Sequence, residues 1–132
     1  MGILIDTNIF ILAEKNQQAL EISGIAADDA VYISAITASE LLVGVHRAEA
    51  TRRIRRSAFV EAILQSIPIL PFTLKIARVH AELFSYLATH GKLIGAHDLL
   101  IAATALAHDC RVLTYNLCEF KQVPGLLVEN PA

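Results

Sequence analysis

Ile3-Leu4-Ile5-Asp6-Thr7-Asn8-Ile9 is an aliphatic run that stops on three residues able to cap a helix, so it reads as a buried strand feeding a helix that begins near Ile9. The order returns at Val31 to Ser34, a second short strand, after which Thr37 and Glu40 stand at capping-box spacing ahead of Leu41, Leu42, Val43 and Val45. Residues 47 to 66 read as one arginine-rich helix, with Ile54, Ala58, Ala62 and Gln65 tracing a face. Ile67 to Leu70, broken by Pro68 and closed by Pro71, has the character of a short edge strand, because proline cannot donate to a sheet ladder. Thr73 caps the next helix, which carries Ile76, Val79, Leu83 and Leu87 at helical spacing and stops at Gly91. Ala96 to His108 is apolar nearly all round, the mark of a helix buried on most sides, and Arg111 to Thr114 and Leu126 to Val128 supply a fourth and fifth strand.

Strands that alternate with helices need crossover connections, which predict an α/β fold: a mainly parallel sheet of four to five short strands flanked by helices. In that arrangement Asp6, Glu40 and Asp98 fall at helix starts and Asn116 just after a strand, so all four project from one sheet edge, where open α/β sheets bind ligands.

Composition bounds the rest. With 132 residues, 55% hydrophobic and 18% charged, the chain builds one core and is neither a disordered polyelectrolyte nor two domains. Eleven Lys and Arg against thirteen Asp and Glu leave a formal charge of −2, so no global positive field holds a polyanion and any nucleic acid is met locally. Cys110 and Cys118 match neither a disulfide scaffold, a redox pair nor a zinc knuckle, and read as reduced thiols. The longest apolar candidate for a membrane span, Ala62 to Leu74, contains Pro68 and Pro71 and is too short. The apolar N-terminus lacks a basic region and carries Asp6, which argues against a secretory signal; the expected location is the cytoplasm.

Four stretches carry a resemblance. Leu4-Ile5-Asp6-Thr7-Asn8, Ser39-Glu40-Leu41, Asp98 followed by Leu99-Leu100-Ile101-Ala102-Ala103-Thr104, and Thr114-Tyr115-Asn116 with Glu119-Phe120 together resemble PIN-domain ribonucleases, most closely the VapC toxins of type II toxin–antitoxin pairs. The resemblance covers the whole chain, so residues 1–132 are expected to form one PIN-like domain. It implies Mg²⁺-dependent endoribonuclease activity, with Mn²⁺ as a substitute, on an RNA substrate, tRNA among the candidates. A VapB-type antitoxin and a homodimer are implied as partners, with no membrane. The family's fourth acidic position falls in the loop after Thr114, where many members have Asn with an acid three residues later, as Asn116 and Glu119 stand here.

The chemistry of the residues agrees. Carboxylates gathered together repel and take up protons unless a cation neutralises them, and hard oxygen ligands without nearby Cys or a His pair suit Mg²⁺ or Mn²⁺ better than Zn²⁺. The expected metal set is Asp6, Glu40, Asp98 and Glu119, and the expected catalytic set is Asp6, Glu40, Asp98 and Asn116, the last orienting water or ligand without charge. Each acid also has a purely structural use: Asp6 as an N-cap, Glu40 in a capping box with Thr37, Asp98 against a helix dipole, and Glu119 as a solvated loop acid. His97 is left out of the site, as a histidine at a helix start that points elsewhere. Arg47, Arg52, Arg53, Arg55 and Arg56, with His90 and Lys92, are candidates for RNA phosphates, the arginines also for acidic groups of a partner, and an apolar groove near the first helices is expected to seat an antitoxin segment. The competing function is a PIN-like module that binds RNA or protein without cutting, kept open by the neutral residue at 116. A phosphotransferase of the haloacid dehalogenase type is set aside, because Asn8 stands where that family has a second Asp.

Overall fold

The computed structural model describes residues 1–16 and 29–131. Its elements run β1 (Gly2–Ile5), α1 (Thr7–Lys15), β2 (Val31–Ser34), α2 (Ala35–Arg47), α3 (Ala50–Ser66), β3 (Ile69–Leu70), α4 (Leu74–Thr89), α5 (Ala96–Ala107), β4 (Cys110–Leu113), α6 (Leu117–Phe120) and β5 (Val128–Glu129). The five strands lie in the order β3-β2-β1-β4-β5, and every pairing is parallel. From central β1 the chain first builds outward through β2 and β3, then returns to add β4 and β5 on the other side. The carboxyl ends of β1 and β4 therefore flank the switch point, the crevice where a doubly wound sheet takes its ligand.

Period-two alternation in β1 feeds two cores. Leu4 joins Val112, Ile76, Leu83 and the apolar face of α5, whereas Ile3 and Ile5 join Ile9, Phe10, Leu41, Val60 and Ile63 beneath α1, α2 and α3. Helix α5 is sandwiched as its composition predicts: Ile101, Ala102, Ala103 and Ala105 are fully buried.

Several expectations shift. α1 begins at Thr7, two residues earlier than Ile9, because Asp6 alone takes the cap. α2 is capped by Ser34, whose Oγ accepts from the Thr37 N–H at 3.1 Å, so Thr37 and Glu40 form no capping box and Glu40 lies in the second turn. β2 runs straight into α2, and the first hydroxyl at the end of the strand captures the free N–H. In α3 the buried residues are Val60 and Ile63, while Ile54 is 82% exposed, so the face traced by Ile54 and Ala58 looks outward. Half-buried Arg56 stands one turn before Val60, on the side of the helix that is buried, and pairs with Glu14. β4 and β5 are displaced by one or two residues from the expected spans. No helix among the described residues is long and apolar enough to cross a membrane.

Candidate active site

Asp6 leaves the end of β1 and is 4% exposed. One carboxylate oxygen accepts from the Thr7 N–H at 2.7 Å, and the other accepts from the hydroxyl of Thr114, past the end of β4, also at 2.7 Å. Those bonds lower its pKa, but burial outweighs them and raises it, helped by the charges of Glu40 and Glu119. Thr114 is fully buried, and its oxygen also accepts from the Asn116 N–H at 2.9 Å and from the Asn8 amide at 3.3 Å. One hydroxyl thus ties Asp6 to the loop that carries Asn116.

Glu40 reaches toward the same edge from α2. Its Oε1 accepts from the Thr7 hydroxyl at 2.7 Å, which lies 3.0 Å from the hydroxyl of buried Thr37, and its Oε2 is 3.3 Å from His97 Nδ1. His97 therefore turns toward the acids instead of away from them. Three residues that residue-type reasoning passes over, Thr7, Thr114 and His97, touch the carboxylates, with Thr37 behind Thr7.

Asp98, in the first turn of α5, forms a second cluster with Asn116 and Glu119. The Asn116 amide donates to Asp98 Oδ2 at 3.1 Å and to Glu119 Oε2, while Glu119 Oε1 accepts from the Gly95 N–H. A Cβ at Gly95 would stand 3.4 Å from Glu119 Oε1 and 3.8 Å from Asp98 Oδ2, so glycine leaves a cradle beside both oxygens. Glu119 is no stray loop acid: the short helix α6, anchored by fully buried Phe120, aims it back at Asp98.

Burial first, then a hydrogen bond to Glu119 and the charges of Asp6 and Glu119, push the Asp98 pKa from 3.8 up to about 7. Glu119 moves the other way, stabilised as the anion by Asp98 and the Gly95 N–H. The pair thus holds one proton between them, and its steps belong to the pair. Because Asp98 is more basic folded than unfolded, the stability it contributes is present below about pH 4 and is lost as pH rises through about 7. Chemical denaturation in EDTA should show the metal-free protein weakening across that window, with Asp98→Asn flattening the decline and exceeding the parent in stability at neutral pH. An unchanged slope in Asp98→Asn would contradict the shared-proton reading.

The structure places all five expected site residues at the switch point, in three linked sets: Asp6 with Thr114, Glu40 with Thr7 and His97, and Asp98 with Asn116 and Glu119. Among the described residues, no three His, Cys, Asp or Glu side chains close into a ready-made metal cage. Arg56 is committed elsewhere, paired with Glu14 at 2.8 Å, and Arg53 donates to the Ala48 carbonyl. Arg52 and Arg55 line a groove of about 600 Å³ with Ile11, Leu41, Val60 and Glu40, so the groove expected near the first helices is present but has a charged rim.

Known proteins resemble this chain in sequence and fold. The PIN domain family model matches residues 3–126. Over 129 residues the chain is 37% identical to ribonuclease VapC1 of Rickettsia felis, covering 97% of this chain and 95% of that one. It is 30% identical over 129 residues to the tRNA(fMet)-specific endonuclease VapC of Salmonella typhimurium, covering 96% of each. Among solved structures, VapBC2 from Rickettsia felis bound to a DNA fragment from its promoter matches with a TM-score of 0.88 at 30% identity, covering 98% of both chains. With its five-stranded parallel sheet and its acids at the switch point, the chain belongs to the PIN-domain family and, within it, to the VapC ribonucleases.

Proposed function

We propose that the chain is a Mg²⁺-dependent endoribonuclease, with Mn²⁺ as a substitute, that cuts RNA by hydrolysis and is restrained by a VapB-type antitoxin. The observation that carries this reading is the convergence of Asp6, Glu40, Asp98 and Glu119 on one crevice, where burial first, and then charge repulsion among the acids, raises Asp6 and Asp98 toward the protonated state. A divalent cation relieves that repulsion, and the oxygen-only donor set suits Mg²⁺, which commonly takes one or two carboxylates and keeps several waters, so no closed protein cage is required. Asp6, Glu40, Asp98 and Glu119 are the residues assigned to hold it. When bound, such an ion lowers the pKa of water and offsets the charge that builds on a phosphodiester.

The chain's own residues do the positioning. Thr114 and the Thr7 N–H hold both oxygens of Asp6, and Thr7 holds one oxygen of Glu40. Asn116 spends its amide hydrogens on Asp98 and Glu119, which leaves its carbonyl oxygen as an acceptor that can orient a water molecule. The alternative, a PIN-like module that binds without cutting, drew on the neutral residue at 116; Glu119, bonded to Asn116 and Gly95, restores a negative charge at that corner and weighs against it. The groove beside Glu40, lined by Ile11, Leu41, Val60, Arg52 and Arg55, is the seat we assign to an antitoxin segment with apolar and acidic side chains. A homodimer and a tRNA substrate complete the reading, the latter prompted by the named activity of the Salmonella typhimurium relative.

Incubation of purified protein with structured RNAs, tRNAs included, with and without Mg²⁺, followed by mapping of the new ends, tests the proposal. Discrete internal cuts that vanish in EDTA and return with Mn²⁺ are expected. RNA that stays whole under every metal condition while binding persists would select the non-cutting module.

A further inference from the structure

We propose that Thr37, fully buried in α2, is a positioning residue for the metal site: its hydroxyl orients that of Thr7, and Thr7 in turn sets Glu40. The inference rests on the metal-dependent reading above and deepens it.

Two hydroxyls and a carboxylate lie in a row. Thr7 Oγ is 2.7 Å from Glu40 Oε1 and 3.0 Å from Thr37 Oγ. Thr7 has a single hydroxyl hydrogen and a carboxylate oxygen only accepts, so that hydrogen goes to Glu40 and the Thr37 hydroxyl donates to the Thr7 oxygen. Donation therefore runs from the core toward the acid. Thr37 is free for this part because Ser34 caps α2: Ser34 Oγ accepts from the Thr37 N–H at 3.1 Å, which also pins the Thr37 backbone. Thr37 is 0% exposed and Thr7 4%, so bulk water reaches neither hydroxyl. Among the described residues, the Thr7 oxygen is the one side-chain partner of the Thr37 hydroxyl.

Thr7 is the joint between two acids, its N–H on Asp6 and its hydroxyl on Glu40. Asp6 is short, buried and held through both oxygens, by Thr7 and by Thr114. Glu40 is longer, its side chain is 31% exposed, and it takes one hydrogen bond from Thr7. A ligand oriented by an outer partner binds a cation more tightly than one that must first be ordered. Thr37 brings no charge and touches no acid, so its influence on Glu40 passes through Thr7 alone.

Binding of Mn²⁺ without RNA, followed by electron paramagnetic resonance of the free ion, tests this apart from turnover. Thr7→Val should weaken binding by roughly 10–100-fold, the range for an outer partner of a metal ligand. Thr37→Val keeps the shape and removes the hydroxyl, and should weaken it by roughly two- to tenfold, the range of one neutral hydrogen bond. Thr37→Ser keeps the hydroxyl and should bind like the parent. In a Thr7→Val background, Thr37→Val should add no further loss, because the group it acts through is gone. A general loosening of the fold would instead weaken binding by the same factor in both backgrounds; that result, or parental affinity in Thr37→Val, overturns the role of Thr37 while leaving the metal site intact. Where Thr37→Val melts below the binding temperature, Thr37→Ala and Thr37→Ser, which differ by the hydroxyl alone, make the same comparison. A parent protein that binds no Mn²⁺ overturns both readings.

Discussion

Asp6→Asn is expected to abolish RNA cleavage while leaving the fold intact. The loss should exceed the roughly 10–100-fold typical of removing a group that merely orients a metal ligand, because the change deletes a charge from the proposed ligand set itself. The fold should tolerate it for local reasons. Asparagine keeps an oxygen for the Thr7 N–H and so can still cap α1, and its amide can donate to the Thr114 hydroxyl, which then has to turn its own hydrogen elsewhere. Burial also disfavours the ionised form of Asp6, with Glu40 and Glu119 adding to the penalty, so a neutral side chain relieves a cost that the native carboxylate carries. Circular dichroism and a melting curve should match the parent or improve on it, while end-mapped cleavage disappears. Parental turnover in Asp6→Asn would remove Asp6 from the site, and a melted spectrum would return it to a purely capping role.

Most of the fold is legible in the sequence because each strand hands over to a helix through a residue with one clear local task. Asp6, Thr73 and the positive-φ Gly91 mark boundaries that one sequence displays, and the structure keeps them. What is not legible depends on length or on competition. Helix α6 has four residues, too few for a period to show, yet it is the element that aims Glu119. Ser34 and Thr37 both satisfy the rules for a cap, and only the path of the chain out of β2 chooses between them. The buried face of α3 is hidden because it carries charged, half-buried Arg56 one turn before Val60 while Ile54 stands in solvent.

The site divides in the same way. Asp6, Glu40, Asp98 and Asn116 can be named from their places at helix starts and after a strand, and Glu119 from the family resemblance of its loop. Their partners across the sequence cannot be named. Thr114 meets Asp6 because β1 and β4 are neighbours, with the Asp6 N–H on the Leu113 carbonyl, and His97 meets Glu40 because α2 and α5 both reach the crevice. Sheet order decides these contacts, and local pattern carries no record of it.

Thr114→Val should produce the largest combined effect of any single conservative change. Valine has nearly the same shape, so packing beside the sheet is kept and the difference measured is that of one hydroxyl. That hydroxyl donates to Asp6 and accepts from the Asn116 N–H and the Asn8 amide, at a position with no solvent to replace it. Its removal leaves a buried carboxylate oxygen short of a donor and the Asn116 N–H short of an acceptor, and each such group costs about 1–3 kcal/mol when left unpaired. Unfolding in urea should therefore show a loss of at least about 2 kcal/mol with an unchanged slope. Cleavage should fall by roughly 10–100-fold in the fraction that remains folded, because both the Asp6 carboxylate and the loop that sets Asn116 lose their common tether. Thr114→Ser keeps the hydroxyl and gives up a methyl group, so it should recover most of the activity while recovering only part of the stability. If Thr114→Ser cuts as poorly as Thr114→Val, the methyl group and not the hydroxyl matters, and the tether between β1 and the Asn116 loop is not what organises the site.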